Sequence, residues 1–156
     1  MTDNGINVDD KEVIQALARL SWKQMNKVYK EGMKKSLDPI LKQTKSNLRA
    51  SGIRNVNKPY IGKNGRKYPS MMQGIKTSVY IGDTEDSYGK VHIMKEFRLK
   101  FFEMGTQLRK TSKGWKRGRI RPYWFFKSAV NSRSKEVTDT LDENIRNSIM
   151  KAWENK

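Results

Sequence analysis

The sequence predicts an α+β fold: a long N-terminal helix and a C-terminal helix packed on a small antiparallel sheet, with a basic arm projecting from it. Three observations carry that expectation. Apolar residues recur at three- and four-residue steps toward both ends of the chain, and they alternate at two-residue steps between residues 74 and 94. Between Phe97 and Ala129, a glycine-punctuated basic run separates two aromatic clusters.

The N-terminal stripe has a start signal. Asp9 is placed as N-cap, Glu12 completes a capping box, and Val8 can staple onto Val13, after a loose polar terminus over 1–8. Val13, Ile14, Leu17, Leu20, Met25, Val28, Tyr29 and Met33 then mark one helical face, with Lys11, Arg19, Lys23, Lys27, Lys30 and Lys34 opposite. Asp38-Pro39 predicts a kink or a restart, because proline lacks the donor a helix interior needs. Ile40, Leu41, Thr44 and Leu48 continue a weaker stripe to about Ala50.

Residues 51–70 read as an extended basic loop, broken by Gly52, Pro59, Gly62, Gly65 and Pro69. Within it, Lys63-Asn64-Gly65-Arg66 suits the turn of an exposed hairpin between Tyr60-Ile61 and Tyr68. Two strands follow, Gly74 to Ile81 with Ile75, Thr77, Val79 and Ile81 on one face, and Tyr88 to Met94 with Val91 and Ile93 inward. They predict a meander covered by the first helix. His92, the only histidine, reads as an ordinary strand residue.

The stretch from Phe97 to Met104 reads as a buried element ending at Gly105-Thr106, with Phe101 in the core together with Phe125 and Phe126. An arm over 107–121 follows, mobile at Gly114 and Gly118, carrying Arg109, Lys110, Lys113, Lys116, Arg117 and Arg119 and exposing Trp115 at its tip. Pro122 introduces the closing helix, whose stripe of Phe126, Val130, Val137, Leu141, Ile145, Ile149, Ala152 and Trp153 faces the core. Asp139, Asp142 and Glu143 lie on its outer face.

Composition bounds function. One domain of 156 residues carries 33 Lys and Arg against 16 Asp and Glu, a formal net charge of +17, so an anionic partner is expected. Mean hydropathy is −0.87, and no apolar run approaches a membrane span. The absence of cysteine excludes disulfides and thiolate metal sites. Glu96 and Glu103 sit among Lys95, Arg98 and Lys100, which predicts ion pairing and not acid catalysis. With no nucleophile or metal motif, the chain reads as a protein that is not an enzyme and needs no cofactor.

The order of elements, and the residues Phe101, Phe102, Glu103, Gly105 and Thr106 followed by Arg121, Pro122, Phe125, Phe126 and Ala129, resemble the tail-completion or head–tail joining proteins of long-tailed bacteriophages, the gene-product-ten-like family. Here Tyr123-Trp124 separate the proline from the phenylalanine pair. The resemblance implies a virion protein of the neck, made in the bacterial cytoplasm and assembled as a hexameric or dodecameric ring between portal or connector and tail. Arg109, Lys110, Lys113, Trp115, Lys116, Arg117 and Arg119 are then the expected ring and partner contacts. Lys58, Lys63, Arg66 and Lys67 are candidates to face packaged DNA without reading its sequence. Glu103, Gly105, Thr106, Pro122, Phe125 and Phe126 form the structural motif. The alternative is a basic α+β nucleic-acid-binding protein, because Lys113-Gly114-Trp115-Lys116-Arg117 combines a stacking ring with phosphate-binding cations.

Overall fold

A computed structural model describes residues 21–82, 87–93 and 95–154. The fold is α+β. Its helices are α1 (Trp22–Ala50), α2 (Met71–Gly74), α3 (Arg98–Met104) and α4 (Phe125–Glu154). The strands are β1 (Tyr60–Ile61) and β2 (Lys67–Tyr68), which pair with each other, and β3 (Lys76–Tyr80) and β4 (Tyr88–His92), which do the same. Among the described residues the sheet is thus two separate antiparallel hairpins.

The cap at Asp9 and the stripe up to Leu20 lie outside the described residues. The stripe does not pass through Ser21 as helix. Ser21 is extended (φ −64°, ψ 155°), and its N–H and hydroxyl both donate to Gln24 Oε1 at 3.0 Å. This Ser-x-x-Gln spacing is a helix start inside an apolar pattern. Pro39, by contrast, produces no restart: α1 runs through it to Ala50. A lone proline costs about 3 kcal/mol in a helix interior, and a seam along the whole helix offsets it.

That seam falls on every fourth residue: Val28, Gly32, Ser36, Ile40, Thr44 and Leu48 are buried. Such a row forms one ridge of a helix surface. α4 lies antiparallel along it, since Val28 packs with Ile149 while Asn47, near the other end of α1, donates to the Phe125 carbonyl at 3.0 Å. Small residues let the backbones approach. A Cβ on Gly32 would stand 2.7 Å from Ile145 Cα. The buried hydroxyls are satisfied locally: Ser36 donates to the Gly32 carbonyl and accepts from Asn144, and Thr44 donates to the Ile40 carbonyl.

The β3–β4 hairpin lies against α1, as expected, in the register Thr77 opposite Val91 and Val79 opposite Gly89. Gly89 leaves space that Leu37 of α1 occupies, since an added Cβ would stand 2.7 Å from Leu37 Cδ1. The main core gathers Leu48, Val56, Met71, Met72, Ile75, Leu99 and Phe125, with Val91, Ile93, Phe102 and Phe126 packed against it. Phe125 and Phe126 are core residues, as expected. Phe101 is not: it is 44% exposed. α3 as a whole is less buried than its composition implies, since only Leu99 and Glu103 are fully enclosed. Leu99, Phe102 and Glu103, at i, i+3 and i+4, take the inward face, which turns Phe101 outward.

Candidate interaction surface

The arm is anchored by a compact knot of backbone and side chain. α4 begins at Phe125 directly after Trp124, a residue that cannot cap a helix with its own side chain. The cap arrives from α3. Glu103 Oε2 accepts from the Phe126 N–H at 2.9 Å, and Oε1 accepts from the Lys127 N–H at 2.8 Å. A buried carboxylate on the second and third amides of a helix satisfies orphan donors and sits at the positive end of its dipole. Glu103 is therefore a helix cap, not the ion-pairing residue its neighbours predict. Glu96 does form the expected pair, with Arg98 Nε at 2.8 Å.

The rest of the motif closes the arm's base. The Thr106 N–H donates to the Ile120 carbonyl, and Thr106 Oγ1 accepts from the Ile120 N–H, both at 2.9 Å. Gly105 stands at φ 74°, ψ −173°, where a Cβ would meet the Ile120 carbonyl oxygen at 2.8 Å and the Pro122 nitrogen at 2.9 Å. That conformation is essentially restricted to glycine. Beyond Pro122, the Tyr123 and Trp124 N–H groups donate to the Phe102 and Glu103 carbonyls. Trp124 itself has φ 51°, a left-handed setting rare for a bulky residue. The structural motif residues are thus brought together in one place.

Beyond the knot the arm is a hairpin, not the loose loop expected from its glycines. The Arg109 N–H donates to the Gly118 carbonyl at 3.1 Å, the Arg117 N–H to the Arg109 carbonyl at 2.7 Å, and Lys110 bridges to Lys116. Gly114 (φ 82°) turns the tip, with Thr111 accepting from Trp115 through Oγ1 and donating its N–H to the Trp115 carbonyl. Arg109, Lys110, Lys113, Lys116, Arg117 and Arg119 are all exposed, and Trp115 is 73% exposed at the tip.

The second basic element is the expected β1–β2 hairpin, whose register sets Tyr60 opposite Tyr68. Its turn is closed by Gly62 and Gly65, and Asn64 Oδ1 accepts from the Arg66 N–H. Lys58, Lys63, Arg66 and Lys67 are exposed on it. The two basic hairpins are not in one patch. The β1–β2 hairpin packs against Phe97 and Arg98 at the start of α3, and the arm leaves the other end of that helix at Gly105, seven residues or about 10 Å away. Between them runs a feature that sequence reading missed. Phe97, the residue before α3, falls in line at i, i+4 and i+7 with Phe101 and Met104 on the helix's outer face, and all three are exposed. The signal was present in that spacing, but an aromatic stripe is read as core by default.

His92 lies opposite Lys76 on the outer hairpin. Burial, with the nearby cations of Lys95, Lys90 and Lys76, holds its pKa below the ordinary 6.5. Among the described residues no group of three or more His, Asp or Glu is placed to hold a metal ion, and no helix is long and apolar enough to cross a membrane. Comparison with protein-family models, with curated proteins and with solved structures returns no match.

Proposed function

We propose that the chain is a structural protein of a bacteriophage neck, forming a ring that joins the DNA-filled head and its connector to the tail. The observation that carries this reading is the contrast between the arm's base and its tip. Glu103, Gly105, Thr106 and Pro122 fix where the arm leaves the body, yet Trp115 at its end has three quarters of its surface in solvent. A rigidly aimed, exposed aromatic with cations around it is the anatomy of an anchor for a partner pocket.

Charge supports the same reading. Residues 39–82 contain no Asp or Glu, and residues 87–135 contain only Glu96 and Glu103, both buried. Among the described residues the exposed acids, Glu31, Glu136, Asp139, Asp142, Glu143 and Glu154, all lie on α1 and α4. Glu136, Asp139 and Glu143 fall at i, i+3 and i+7 on α4, and an acidic stripe on one element with basic hairpins on others suits a heterologous contact between copies, the contact type that closes rings. Connector and tail proteins are the further partners, with packaged DNA met through its phosphates alone.

The test is Trp115→Ala. Circular dichroism is expected to be unchanged, while association with other copies and with connector particles is lost in sedimentation. A folded variant that still assembles would contradict the anchor role, and an unfolded variant would place Trp115 in the core. The net charge of +17 favours a second reading, a basic nucleic-acid-binding protein. Tight, steeply salt-dependent binding of DNA by the isolated monomer, without assembly, would select it.

A further inference from the structure

Four aromatic rings form a connected surface between the β1–β2 hairpin and α3. Tyr60 and Tyr68 stand across the hairpin with centroids 5.8 Å apart. Phe97 meets both, at 6.2 and 5.3 Å, and Phe101 extends the series at 6.3 Å. Tyr60, Phe97 and Phe101 are 38%, 46% and 44% exposed. Two guanidinium groups stand over these rings. Arg98 lies 4.9 Å from the Tyr60 centroid, held there by Glu96 at 2.8 Å and the Pro69 carbonyl at 3.4 Å, and Arg66 lies 5.5 Å from Tyr68.

No exposed acid belongs to either element, so this surface asks for a ligand that is both anionic and planar. A duplex offers phosphates but keeps its base faces stacked on one another, leaving the rings in water. An acidic polypeptide neutralises the arginines without supplying faces to stack. Unpaired nucleotides supply both, since every base has a π-face and every linkage a charge. We propose that the Tyr60–Tyr68–Phe97–Phe101 surface binds single-stranded nucleic acid without sequence preference, bases against the rings and phosphates against Arg66, Lys63 and Lys67, with Arg98, paired to Glu96, holding Tyr60 in place. The site is separate from the arm and does not require ring assembly.

Anisotropy titration of the full chain with a labelled oligo-dT of about a dozen nucleotides, beside a duplex of equal length, tests it. Oligo-dT is expected to bind more tightly than duplex. The double variant Tyr60→Ala/Phe101→Ala is expected to lose about tenfold or more of that affinity while keeping duplex binding, and Trp115→Ala is expected to bind as the parent does. Equal affinity for both nucleic acids, or an unaffected double variant, would overturn the proposal. So would displacement of oligo-dT by polyglutamate as effective as by unlabelled oligo-dT, which would assign the surface to an acidic protein. Photo-crosslinking of iodouracil-substituted oligonucleotide to the parent chain gives a readout independent of variant folding. Adducts on Tyr60, Phe97 or Phe101 support the site, and adducts confined to the arm overturn it.

Discussion

Glu103 is the residue on which the arm's geometry turns. Its two oxygens hold the second and third amides of α4, and its own carbonyl accepts from Trp124. Glu103→Ala leaves two half-buried donors without their carboxylate at the positive end of a 30-residue helix. A loss of about 2 kcal/mol or more is expected. Glu103→Gln keeps one acceptor and loses the charge, so it is expected to fall between the parent and the alanine variant. Chemical denaturation checks both, and a Gln variant as stable as the parent would show that the negative charge contributes nothing. The glutamate itself stands out in the sequence, but its role does not. A cap delivered from 23 residues away has no local spacing, whereas the neighbouring Lys100 suggests a simple ion pair. The self-capping starts at Ser21 and Ser70 are local Ser-x-x-Gln patterns and are readable in principle.

At the scale of elements, the helix pair is defined by what its seam leaves out. Gly32 and Ser36 are buried between α1 and α4, and hydropathy assigns neither to a core, whereas Thr44 lies on the predicted stripe. The apolar stripe therefore located both helices and missed much of their shared surface. Asp38-Pro39 predicts a kink or a restart, and packing carries α1 through it with no restart. Gly32→Ala improves intrinsic helix propensity by about 1 kcal/mol, but its Cβ would overlap the Ile145 backbone. Overpacking of this kind costs about 1–3 kcal/mol, so a net loss of stability is expected, larger for Gly32→Val. Thermal unfolding decides the sign. An alanine variant more stable than the parent would mean that α4 can move away at little cost. The β1–β2 hairpin, by contrast, was legible to the residue pair. Asn64-Gly65 between Tyr60-Ile61 and Tyr68 is turn chemistry, and turns are local. The exposed face of α3 was illegible for the opposite reason, since burial is decided by the whole molecule and Phe101 looks the same in either setting.

On the scale of the whole molecule, the fold separates rigid support from presented surface. The α1–α4 pair and the β3–β4 hairpin make the body, and α3 has the β1–β2 hairpin packed at its start and the arm leaving its end. Net charge that would destabilise a compact monomer by self-repulsion is carried by α1 and by the two hairpins, and on the hairpins no acid offsets it. Such a distribution gains free energy when an anionic or acidic neighbour covers it, which is what assembly into a neck ring would provide. Fractionating a host lysate on a density gradient, and blotting the fractions for this chain, tests that assignment directly. A ring subunit of the neck co-migrates with DNA-filled heads and complete virions. Recovery only in soluble fractions, released from nucleic acid by salt or nuclease, would contradict it.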